Sequence, residues 1–106
     1  MDSVAGARRQ GRGTESGGVV IPNEAELVAR TKRLPGIFAD RVRTADLEGM
    51  RSMARGGEWG ELLDLLIAAL RHAGARITTD ERDEIRYLLA GWRLPTHQLD
   101  DLVVTH

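Results

Sequence analysis

The chain has 106 residues, 42% of them apolar but only 4% aromatic, and no cysteine. That is enough for one domain and one aliphatic core, and it excludes a disulfide framework and any thiolate chemistry. Net charge is −1, split as +3 over residues 1–43 and −4 over residues 44–106; a nucleic-acid binder should instead carry its excess of Lys and Arg on the folded part.

Residues 1–20, MDSVAGARRQGRGTESGGVV, hold five glycines and almost no large side chain. Such a segment buries too little surface to offset the entropy of ordering it, so a disordered tail is expected there, with a single helical domain over 21–106. Arg8, Arg9 and Arg12 are not followed by an apolar stretch, and no run of the sequence reaches the length of a membrane span. A soluble, cytoplasmic protein is expected.

Asn23 is placed to cap a first helix, with Glu24 and Glu26 at its positive end and Arg30, Lys32 and Arg33 toward its negative end. Pro35 and Gly36 are expected to stop it. Ile37, Phe38 and Val42 then supply a short helix or turn over the core. Thr44 opens a second helix, whose Leu47, Met50, Met53 and Ala54 share a face. Gly56 or Gly57 should end it in a left-handed turn. From about Glu58 to Ala73 the sequence is apolar around most of a helical circumference, which marks the centre of a bundle.

Thr78 and Glu81 form the S/T-x-x-E capping box, so a further helix should start at Thr79, bury Ile85, Leu88, Leu89 and Trp92, and leave at Gly91. Thr96 is expected to cap a last helix with Leu99, Leu102 and Val103. Thr44, Met50, Arg51, Met53 and Gly56 echo Thr79, Ile85, Arg86, Leu88 and Gly91 at an offset of 35. Two such units are too few for a solenoid. The fold expected is all-α, a four- to five-helix bundle of two αα-hairpins.

Chemistry is sparse. GGEWG, residues 56–60, lacks the strand, the Lys-Ser/Thr pair and the third spaced glycine of a phosphate loop, and reads as a helix corner packed by Trp59. His72, His97 and His106 form no metal-ligand spacing beyond a His97–Asp101 pair that suits a surface hydrogen bond. Ser52 lies mid-helix without a nucleophile elbow. The acids Asp80, Glu81, Asp83 and Glu84 sit in the first turns of a helix, where they favour the dipole and face water. No enzyme, no cofactor and no metal are expected.

The stretch from Ile77 to Val104 resembles the C-terminal part of the small helical immunity proteins of Maf toxin systems. The likeness is carried by Thr78, Glu84, Ile85, Leu88, Ala90 and Gly91, followed by Leu99, Asp100 and Leu102. GGEWGELLDLL looks like a tetratricopeptide hairpin in its packing. The immunity likeness implies a stoichiometric inhibitor that covers a toxin domain with about 800 Å² on each partner.

A non-catalytic protein-binding module follows, most sharply an immunity protein or antitoxin, with a protein partner for which a basic toxin domain is the natural candidate. Glu81, Glu84, Arg86, Trp92 and Arg93 are the expected contact residues, since Trp and Arg dominate interface hot spots; Trp92 is equally suited to the core. The alternative is a nucleic-acid-associated regulator that uses the Arg-bearing tail and the last hairpin, RDEIRYLLAGWRLPTHQLDDL, as a helix-turn-helix. Asp100 and Asp101 would then face phosphates, which weighs against it.

Overall fold

A computed structural model describes residues 23–105; the N-terminal tail and His106 lie outside the described residues. Four α-helices run in chain order, α1 (Glu24–Ile37), α2 (Thr44–Arg55), α3 (Trp59–Ala73) and α4 (Thr79–Gly91). Two short strands, β1 (Arg76–Thr78) and β2 (Val103–Thr105), pair in parallel with Ile77 opposite Val104. The all-α bundle is as expected.

The apolar helix α3 sits at its centre. Leu62, Leu63, Leu66, Ile67 and Leu70 are completely buried in the core that α3 shares with α1, α2 and α4. Each such side chain contributes about 1.5 to 3 kcal/mol relative to an exposed one. Helices α2 and α3 form an antiparallel hairpin over Met50 and the half-buried Leu47 and Met53. Gly57 turns the corner between them at φ 72°, and Gly74 ends α3 at φ 60°. Both angles lie where a side chain is strained.

Two sequence expectations need correction. Helix α1 does not stop at Pro35 but continues through it to Ile37. The missing Pro35 N–H forfeits only one ladder bond, in the last turn, and its ring is buried against the core. Helix α4 ends at Gly91, as expected, but the left-handed residue beyond it is Arg93, at φ 63°. What Gly91 provides is proximity, since a Cβ there would meet Leu27 Cδ2 at 2.5 Å. The close approach of α1 to α4 depends on that missing methyl.

The second concerns the chain's last segment. Instead of an α-helix capped by Thr96, residues His97–Asp101 form one 3-10 turn, without a side-chain cap from Thr96, and Val103–Thr105 form β2. Five residues are too few to nucleate a stable α-helix, and the adjacent β-branched valines favour the extended form. Leu99 and Leu102 are buried from this turn, as their spacing required.

Candidate functional site

Three of the five expected contact residues are engaged inside the fold. Thr78 N–H donates to Glu81 Oε1 at 2.8 Å and Glu81 N–H donates back to Thr78 Oγ1 at 3.0 Å, which completes the capping box. The same Glu81 carboxylate accepts two bonds from Arg41, at 2.7 and 2.8 Å, across 40 residues of sequence. The Arg41 guanidinium, helped by the Thr78 backbone and hydroxyl, holds the Glu81 carboxyl below its usual range, and Glu81 in turn raises Arg41. Arg41 also lies 4.6 Å over the Phe38 ring. The pair staples the α1–α2 turn to the start of α4.

Glu84, one turn further along α4, is engaged in the same way. It accepts Arg30 Nε at 2.9 Å and also Arg30 Nη2, while Arg30 Nη1 reaches Glu26 at 3.2 Å. The Arg30 guanidinium covers the Tyr87 ring at 4.2 Å, and its own proton affinity is raised chiefly by the Glu84 bond. The expectation that all four acids of α4 face water is therefore corrected. Asp80 and Asp83 are exposed, but Glu81 and Glu84 are half-buried partners of arginines from α1 and the turn after it.

Trp92 resolves as a packing residue. Its Nε1 donates to Thr31 Oγ1 at 3.0 Å, satisfying the one buried polar side chain of the core among the described residues. Its ring stacks on Trp59 with centroids 6.3 Å apart and an interplanar angle of 19°. Arg86 and Arg93 are exposed. Of the five, the glutamates at the start of α4 are taken by ion pairs and Trp92, just past its end, is taken by α1, while Arg86 in mid-helix and Arg93 remain open.

The acidic residues Glu58 and Glu61 adjoin the tryptophan pair at the start of α3, and the neighbouring Glu58 pushes the Glu61 carboxyl up. His97 is exposed on the 3-10 turn, and Asp101 lies 3.8 Å from Arg71. Among the described residues no group of three or more His, Asp or Glu is placed to hold a metal ion. No helix among them is long and apolar enough to cross a membrane.

A large concavity lies elsewhere. Between the C-terminal halves of α1 and α2 an open groove of about 780 Å³ is lined by Lys32, Arg33, Arg51 and Arg55, with Pro35, Gly36, Ile37 and Ala54 completing the lining. All four cations are exposed, and none takes part in an ion pair found among the described residues. No carboxylate among the described residues lines the groove. Ile37 is 45% exposed, one of two large hydrophobic residues left so open among them.

Sequence reasoning passed over this site because three of its four cations have a local explanation. Lys32 and Arg33 follow α1 toward its C-terminus and Arg55 ends α2, where cations suit the helix dipole. One signal was available: Arg51 and Arg55 are like charges at i, i+4, which costs an isolated helix about 0.2 to 0.5 kcal/mol. Comparison with protein-family models, with curated proteins and with solved structures found no match.

Proposed function

We propose that this chain is a non-catalytic module that acts by binding another protein, and that the groove between α1 and α2 is its contact surface. One observation carries the reading: four cations without an ion pair among the described residues, gathered around the exposed side chain of Ile37. Charged residues are exposed in most proteins, but usually with both signs interspersed. Here the two half-buried acids of α4 are spent on Arg30 and Arg41 and leave the groove unbalanced. The exposed Ile37 adds apolar area that gains from being covered.

The likeness to Maf-type immunity proteins supports an inhibitor or antitoxin as the sharpest form of this module. The groove, which lies outside the segment that carries this likeness, moves the proposed partner face from the acidic residues of α4 to the basic lining of α1 and α2. Glu81 and Glu84 could engage a basic toxin domain only by releasing their arginines, which would leave charges half-buried and unpaired.

Affinity capture from the native cell tests the reading, with wild-type protein compared with Arg51→Glu/Arg55→Glu and with the control Asp100→Lys on the 3-10 turn. All three positions are exposed, so circular dichroism should show unchanged helicity. The expected outcome is a defined partner held by the wild type and the control and lost, by about tenfold or more, from the double variant. Equal recovery of the same proteins by all three would overturn it.

A further inference from the structure

We infer that the segment seated in the α1–α2 groove is an acidic amphipathic helix of the partner, with an apolar side chain set against Ile37. The inference rests on the protein-binding reading and specifies its ligand. The chemistry of the groove selects the charge. Lys32, Arg33, Arg51 and Arg55 supply positive potential, with no lining carboxylate among the described residues, so an anionic occupant relieves their mutual repulsion.

The apolar part of the lining selects a protein over other polyanions. Among the described residues the lining offers aliphatic surface, chiefly the exposed Ile37 and the half-buried Ala54, and no aromatic ring. Single-stranded nucleic acid gains much of its affinity by stacking bases on aromatic side chains, and the groove has none to offer. The tryptophan pair belongs to the far end of α4, beside Glu58 and Glu61, where phosphates would be repelled. Residues 23–105 carry fourteen acidic against twelve basic side chains, so a long polyanion meets repulsion outside the groove while a short acidic helix does not.

The geometry of the walls selects a helix. Arg51 and Arg55 stand one turn apart on α2, about 6 Å along its axis, the interval at which a partner helix presents carboxylates at i and i+4. A trough between two helices with an apolar part to its lining accepts a helix that lays its apolar stripe inward and its charges on the rims. No strand edge among the described residues borders the groove to recruit an extended peptide.

Fluorescence anisotropy with defined probes tests this. The probes are a labelled helical peptide of about four turns with leucines on one stripe and glutamates beside it, its Glu→Gln counterpart, polyglutamate of equal length, a single-stranded oligonucleotide, and vesicles containing anionic phospholipid. The expected result is that the acidic amphipathic peptide binds, with about tenfold or greater loss for the Gln peptide, for polyglutamate, and for wild-type peptide on Arg51→Glu/Arg55→Glu protein. Ile37→Ser should weaken binding while leaving helicity unchanged, and amide shifts on titration should centre on Ile37, Arg51, Ala54 and Arg55. Tighter binding of the oligonucleotide or the vesicles, or shifts centred away from the groove, would overturn the inference. If no peptide binds while partner capture still depends on Arg51 and Arg55, the inference falls and the protein-binding reading stands. Capture that ignores those two arginines removes the reading itself.

Discussion

Thr31 is completely buried, yet it has a hydroxyl, and Trp92 Nε1 is the donor that satisfies it. Replacing Trp92 by Phe keeps most of the stacked area on Trp59 and removes that donor. A buried polar atom that loses its partner costs about 1 to 3 kcal/mol, so Trp92→Phe should lower the urea midpoint of unfolding accordingly, while Thr31→Val/Trp92→Phe recovers some of the loss. Glycines divide by what a methyl would meet. At Gly36, in the last turn of α1, nothing lies within 4 Å, and alanine there should stabilise by about 0.5 kcal/mol through its helix propensity. At Gly91 the same methyl would collide with Leu27, a core residue 4% exposed, so Gly91→Ala should destabilise by about 1 kcal/mol or more despite the same propensity gain. Thermal melts of the two variants should move in opposite directions.

At the scale of the element, α4 is held at its start by a capping box and an ion pair that share one carboxylate. Thr78 and Glu81 were legible as a box because the spacing is local and the reason is mechanical. Arg41 was not, because a partner 40 residues away leaves no periodic trace. The shared carboxylate ties the stability of this end to pH. Glu81 is held below the ordinary carboxyl value of 4.5 by Arg41 first and by Thr78 second. A carboxyl depressed on folding adds stability that is complete above the unfolded pKa and is lost as pH falls through the folded one. Glu81→Gln should therefore cost about 1 to 2 kcal/mol near neutrality. That difference from the wild type should shrink as pH drops below 4.5 and vanish in stronger acid, where both proteins carry a neutral side chain. Urea titrations at stepped pH measure the difference directly, and a constant offset across the range would contradict the role given to the Arg41 bond.

Across the whole molecule, the sequence announced its helices wherever propensity, caps and an apolar stripe agreed, as in α2, α3 and the start of α4. It was silent wherever two distant segments meet, and several of the departures from expectation belong to such meetings: Gly91 with Leu27, Glu84 with Arg30, Val104 with Ile77. The basic groove has the same origin, since Arg33 and Arg51 become neighbours only when α1 packs on α2. The β1–β2 pairing offers a way to separate what stabilises the bundle from what the groove does. Ile77 is 1% exposed and pairs with Val104, which is itself half-buried against the core. Val104→Asp would set an unpaired carboxylate into that contact, at a cost of about 1 to 3 kcal/mol. Val103, exposed at 42%, is the neighbouring position where the same change should cost under about 0.5 kcal/mol. Neither strand residue borders the groove, so Val104→Asp should lower the melting temperature while the folded protein keeps its affinity for the groove ligand. Arg51→Glu/Arg55→Glu should do the reverse and remove the affinity. Its melt should stay near that of the wild type, or rise above it, since the double reversal keeps a like-charge pair on α2 but turns its contacts with neighbouring Lys32 and Arg33 attractive. If the strand variant and the groove variant lose stability and binding together, the two regions are one cooperative unit and the groove's charge has a structural duty as well.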